Sequence, residues 1–317
     1  MMNQCRSQLC KRTFGMVLGG ELQRLICEQR SSRASSTTAI MGTLMGHVVP
    51  GSIFLIGGLW WTFNIWSSYF AALKSRGRFR STMSFPLRRG SRVPWESIVV
   101  IMCAIAAIAG EIVTGWRGDR LVEMGNGQHA VMYFMFAISS AAEAARVTGY
   151  ELLPGLEYVL AVMALAAEAL LFAFHGHGSS ELEMLVHHLM LYVVLATGAA
   201  AAAEGIWRHR VLPALGRCFF FLLQGTWFLQ VGVMLYPPSG WPGHYYDPNS
   251  YRQRKLATVV FVLHWVGVLT TIAAIGVFLR WKHGLGLRSR APRPKHGERP
   301  RNGADTTQLL HSSDDEL

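Results

Sequence analysis

The sequence predicts an all-α fold, a polytopic membrane protein built as a bundle of seven transmembrane helices. Three observations carry this. Hydrophobic residues make up 51% of the 317 positions and charged residues only 15%, where a soluble domain carries roughly 25% charged residues. The apolar residues gather in seven runs, each close to the ~20 residues that a helix needs to cross a hydrocarbon core about 30 Å thick. The basic residues, which set a formal net charge of +11, are dense after the first run, between the fifth and sixth and after the seventh, while the opposite connections carry few: Arg117, Arg120, Arg252, Arg254 and Lys255. An aromatic content of 11% and a mean hydropathy of +0.25 exclude a disordered chain. Five cysteines are too few and too scattered for a disulfide scaffold: Cys5, Cys10 and Cys27 near the start, Cys103 and Cys218 inside apolar runs.

The first run extends from about Val48 to Leu73 and is rich in Trp and Phe. The second, from about Trp95 to Trp116, contains VVIMCAIAAIAG. The third and fourth extend from about Gln128 to Thr148 and from about Leu152 to Phe174. The fifth runs from about Met184 to Trp207, the sixth from about Ala214 to Tyr236 and the seventh from about Leu256 to Trp281. Buried strands would be shorter, about 4–8 residues, and a transmembrane barrel would alternate polar with apolar positions. Backbone amides in lipid must bond within their own segment, which leaves the helix. Trp95, Trp116, Trp207, Tyr236 and Trp281 stand near the boundaries, where amphipathic rings prefer the headgroup level. Pro50, Pro94, Pro154 and Pro213 fall near helix starts, where a missing N–H costs little. The stretch GAAAAAEG, from Gly198 to Gly205, predicts a close helix–helix contact.

Charge sets the expected orientation. Lys74, Arg76, Arg78, Arg80, Arg88, Arg89 and Arg92 follow the first run, Arg208, Arg210 and Arg217 join the fifth to the sixth, and Arg280 to Arg301 follow the seventh. With seven spans these segments share one side, and the positive-inside rule makes it cytosolic. The N-terminus is then lumenal or extracellular and the C-terminus cytosolic. The basic charge reads as topology and attraction to anionic lipid, so the lipid bilayer is the expected partner and nucleic acid is not. Residues 1–40 carry Arg6, Lys11, Arg12, Arg24, Arg30 and Arg33 without the apolar core of a signal peptide. They are expected to be a disordered N-terminal extension ahead of a transmembrane domain over 41–281, with an alternative start at Met41.

Several short motifs follow one another in order: MGTLMGHVVPGSIFLIGGLWW from Met41, NGQHAVMY from Asn126, FHGHG from Phe174, HHL from His187, QGTWFLQVG from Gln224 and HW at His264 and Trp265. Together they resemble the transmembrane protein 45 family, a domain-of-unknown-function family of seven-span proteins, from about Met41 to Trp281. The resemblance implies a multi-pass protein of internal or surface membranes and no established reaction.

The ionisable residues inside the spans are the candidate site. Glu111 lies toward the outer end of the second run, and Glu157, Glu168 and His175 fall near one stripe of the fourth at about 100° per residue. Such groups are expensive in hydrocarbon and usually mark a site or pathway. Glu111 and Glu168 are candidate proton-relay groups. His129, His175, His177, His188 and His264 gather on the outer side and are candidate metal ligands, because imidazole suits zinc and three histidines with an open position are a catalytic zinc arrangement. A zinc-dependent hydrolase acting on lipid and a proton-coupled transporter are therefore the alternatives. The first expectation is a non-enzymatic, regulatory or pH-responsive protein of Golgi, endolysosomal or plasma membranes, since histidine titrates near a lumenal pH of about 6. HExxH is absent, as are a Walker loop and a Rossmann fingerprint.

Residues 282–317 are expected to form a disordered cytosolic tail, basic and then acidic. Within it, Asp305, Leu309 and Leu310 match an acidic dileucine sorting signal of the kind clathrin adaptors read on cytosolic tails.

Overall fold

A computed structural model describes residues 44–88, 90–117, 120–121, 124–174, 180–237 and 250–285. Each apolar run becomes one helix: α1 Leu44–Lys74, α2 Trp95–Gly115, α3 Met124–Thr148, α4 Leu156–Ala173, α5 Glu181–Ile206, α6 Val211–Leu235 and α7 Tyr251–Lys282. All seven are long and apolar enough to cross a membrane. A two-residue antiparallel hairpin, β1 Trp116–Arg117 with β2 Arg120–Leu121, lies between α2 and α3. No periodicity announces it. Helices α1, α3, α5, α6 and α7 start ahead of their apolar runs, whereas α4 starts later than its run, at Leu156. Helix α7 starts at Tyr251, and the guanidinium of Arg254 pairs with Glu181 at the start of α5.

Helices α2 to α6 pack as successive neighbours, α1 returns to lie along α6, and α7 rests on α1, α5 and α6. The most buried helix is α6, whose Cys218, Leu222, Leu223, Gln224 and Trp227 are at most 1% exposed. Around the outside, Ile98, Met102 and Ile105 of α2 and Val259, Val262, Val266 and Leu269 of α7 face away from the protein. An apolar exterior of this extent suits hydrocarbon and not water.

Glycine decides how closely α1 and α6 approach. A Cβ at Gly225 would stand 2.6 Å from the Leu55 amide nitrogen and 3.0 Å from the Gly51 carbonyl oxygen. One at Gly58 would meet Leu222 at 2.7 Å, and one at Gly232 would meet His47 at 2.8 Å. Small residues play the same part between α4 and α5, where a Cβ at Gly205 would meet the Tyr158 ring at 3.0 Å and Ala201 is fully buried. The GAAAAAEG stretch is the helix contact that its composition predicts.

The connections between α1 and α2, α3 and α4, and α5 and α6, with the end of α7, lie at one end of the bundle, here the basic end. The first of these does not trail freely. Phe79 is buried, the Ser81 amide donates to the Arg208 carbonyl at 2.8 Å, and His209 Nδ1 bonds the Phe79 carbonyl at 2.9 Å. Further along, the Phe85 amide donates to Glu96 Oε1 and Trp95 Nε1 donates to the Phe85 carbonyl, both at 2.8 Å. The Ser84 hydroxyl bonds Glu143.

The expected connection between the fifth and sixth helices needs one correction. Arg217 is not in it: the residue sits inside α6 and is 2% exposed. Its charge is therefore spent on a buried partner and not on the membrane surface. Arg208 is likewise engaged, with Glu157 at 3.3 Å. The asymmetry of charge still stands on Lys74, Arg76, Arg78, Arg80, Arg88, Arg92, Arg280 and Lys282.

Candidate functional site: two buried polar clusters

Two groups of polar side chains lie inside the apolar bundle. The first closes the basic end. Arg217 of α6 donates through Nε to Glu204 Oε2 of α5 at 2.5 Å, with side chains 2% and 0% exposed. Tyr158 of α4 donates its hydroxyl to Glu204 Oε1 at 3.3 Å and lies 3.4 Å from the Ser81 hydroxyl. Arg217 Nη2 donates to the Thr82 carbonyl at 3.4 Å, and its guanidinium carbon stands 4.5 Å from the centre of the Trp61 ring. Glu96 of α2 accepts from Trp60 Nε1 at 2.7 Å and Trp61 Nε1 at 2.9 Å. One ion pair thus ties α1, α4, α5, α6 and the first connection together. Charges taken out of water are tolerated when paired and hydrogen-bonded like this.

Neither Glu204 nor Arg217 stands out as a site residue in the sequence reading. The signal was an acid among alanines and an arginine inside an apolar helix, each of which demands a partner in hydrocarbon. The pairing itself is invisible before the helices are rotated into place.

The second cluster lies in the other half of the bundle. Gln224 of α6 donates through Nε2 to Glu168 Oε1 of α4 at 2.8 Å, and both residues are at most 1% exposed. Among the described residues, Glu168 Oε2, Gln224 Oε1 and Glu111 Oε2 have no hydrogen-bond partner. Glu111 of α2 is 9% exposed, and Tyr133 of α3 lies within electrostatic reach of both Glu111 and Glu168. Asn126 anchors the end of α2 by donating to the Glu111 carbonyl at 3.1 Å and to the Thr114 hydroxyl at 2.8 Å. The two relay candidates therefore stand toward the same end of the bundle, with an amide on one of them.

The histidines are dispersed. His175 and His177 lie outside the described residues, as do Asp305, Leu309 and Leu310. His129 of α3 has Nδ1 2.8 Å from the Gly125 carbonyl of its own helix. His188 of α5 is exposed. His264 of α7 packs edge-on against Trp227, with ring centroids 5.8 Å apart. Among the described residues, no three His, Cys, Asp or Glu side chains come together as a metal-holding group. The imidazoles that do meet are His47 and His187, with ring centroids 6.2 Å apart, and Tyr236 lies 5.4 Å from His47.

Comparison with known proteins agrees with this architecture. The chain is similar to transmembrane epididymal protein 1 of Rattus norvegicus, 23% identical over 257 residues that cover 76% of this chain and 82% of that protein. It is similar to transmembrane epididymal protein 1A of Mus musculus to the same degree, 23% over 262 residues with the same coverage. This is a multi-pass transmembrane protein, and its residues 154–278, from the approach to α4 to near the end of α7, match a family described as "Family of unknown function (DUF716)".

Proposed function

We propose that the chain is a non-enzymatic, proton-responsive membrane protein in which the Glu168–Gln224 pair takes up and releases a proton. One observation carries the reading. An ionised carboxylate offers only acceptors, whereas a carboxylic acid also brings a donor. Glu168 Oε2 and Gln224 Oε1 are both buried acceptors without a partner among the described residues. A proton on Glu168 supplies a donor that this pair lacks. Its loss leaves a charge inside the bundle with one amide against it, a change that acts on the contact joining α4 to α6. Tyr133 and Glu111 extend the polar group toward the end opposite the basic one.

The test is spectroscopic. An infrared difference spectrum of the purified full chain between pH 5 and pH 8 is expected to show a protonated-carboxyl band, and Glu168→Gln to abolish it while preserving the fold. A band unchanged in that variant ends the proposal.

The same reading places the basic end in the cytosol and the N-terminus in a lumenal or extracellular space, in Golgi, endolysosomal or plasma membranes. Support comes from the exposed cations Lys74, Arg76, Arg78, Arg80, Arg88 and Arg92 of the basic end and from motifs that resemble those of the transmembrane protein 45 family. Asp305, Leu309 and Leu310 then lie where clathrin adaptors read sorting signals. A tag after Leu317 is expected to react with antibody only in permeabilised cells. Leu309→Ala with Leu310→Ala is expected to raise the surface pool several-fold, as surface biotinylation would report. A tag accessible on intact cells overturns the orientation.

A further inference from the structure

The connection between α1 and α2 carries more than orientation. Lys74, Arg76, Arg78, Arg80, Arg88 and Arg92 are all exposed, and among the described residues none has a carboxylate within ion-pair distance. The backbone around Arg78 and Arg80 is held in place by the contacts of Phe79, Ser81, Ser84 and Phe85 with the bundle. Between residues 78 and 81 burial alternates, Phe79 and Ser81 turning inward while Arg78 and Arg80 turn out. Leu87 and Val93, 63% and 58% exposed, add apolar contact to the same segment.

The strained end of α1 is independent support. The helix closes with the Gly77 amide donating to the Ala72 carbonyl at 2.9 Å, which puts residue 76 in the left-handed region. Glycine is the usual residue there, yet the position holds Arg76 at φ 54°. A side chain in that conformation is strained, and strain of this kind collects at functional positions. Here the retained feature is a cation.

We infer that this pinned connection is a binding surface for a lipid headgroup carrying several phosphate charges, beyond the diffuse attraction any basic loop has for a bilayer. Guanidinium groups carried on a held backbone leave less chain to order on binding phosphate than those of a mobile loop, and arginine matches phosphate geometry with paired N–H donors. The inference does not depend on the proton site, which lies in the other half of the bundle.

The experiment uses the detergent-purified full chain, stripped of lipid, and the fluorescence anisotropy of a labelled phosphatidylinositol bisphosphate. Labelled phosphatidylcholine is the zwitterionic control and soluble inositol trisphosphate the competitor. Binding is expected to be salt-dependent, and Arg78→Gln with Arg80→Gln to weaken it roughly tenfold or more. Arg76→Gly is the decisive variant: it is expected to melt at or above the wild-type temperature and yet bind several-fold more weakly, which a purely structural role would not produce. Equal binding of phosphatidylcholine, or unchanged affinity in both variants, overturns the proposal. Inositol trisphosphate that binds as tightly as the lipid overturns the assignment to a membrane surface.

Discussion

Replacing Gly225 by Ala is expected to separate α1 from α6 and to leave most of the protein unable to fold. The added Cβ would stand 2.6 Å from the Leu55 amide nitrogen and 3.0 Å from the Gly51 carbonyl. Both obstacles are backbone atoms of α1, so no rotamer change relieves them. The two helices must move apart by a large fraction of an ångström along their whole contact, and with them Gly58 against Leu222 and His47 against Gly232. In lipid, association rests on close packing and not on exclusion of water. Overpacking of a tight core costs about 1–3 kcal/mol and occasionally more, and a clash with backbone belongs at the upper end. Gly267→Ala on α7 is the control, because a Cβ there meets nothing within 4 Å. Size-exclusion profiles and thermal melts of the two variants in detergent check this. A well-folded Gly225→Ala protein would show that α1 and α6 are not packed as described.

The second large effect is expected at the basic end. Arg217→Ala removes the guanidinium and strands Glu204, which is fully buried, with Tyr158 as its hydrogen-bond donor. Breaking a buried pair from one side costs about 3–5 kcal/mol, because a charge is left uncompensated. Arg217 also bonds the Thr82 carbonyl and stacks over Trp61, so the pinned connection should loosen with it. Limited proteolysis between α1 and α2 would report that directly. The double change Arg217→Met with Glu204→Leu is expected to recover most of the melting temperature, since apolar replacement of both members of a buried pair is often neutral. If the single variant melts like the wild type, the pair does not hold the end of the bundle.

Much of the candidate site was legible one residue at a time. Glu111 and Glu168 declare themselves as acids inside apolar runs, and both are buried in the structure. Gln224, which opens the QGTWFLQVG motif, bonds Glu168. What could not be read was company. Arg217 reads as one more basic residue near a connection, yet it is the buried partner of Glu204, 13 positions away and on another helix. Glu96 goes unremarked in the sequence, and it collects two indole N–H groups and a backbone amide. The histidines show the reverse. They cluster toward one end of the spans along the sequence, but His129, His188 and His264 stand on three different helices, and among the described residues the imidazoles near one another are His47 and His187.

The amino-acid sequence by itself determined seven helices, their lengths and which connections are basic. These follow from constraints that act on each segment alone: a hydrocarbon layer of fixed thickness, and amide groups that must bond within their own span. Rotation and pairing of the helices were decided only by the tertiary structure. They depend on where two backbones can touch, and that is settled at Gly51 and Gly225, Gly58 and Leu222, and Gly205 and Tyr158. Once those approaches are made, Glu204 meets Arg217 and Glu168 meets Gln224. A helix is a local solution to burying its own polar backbone, whereas a buried side-chain pair is a joint solution that neither helix contains.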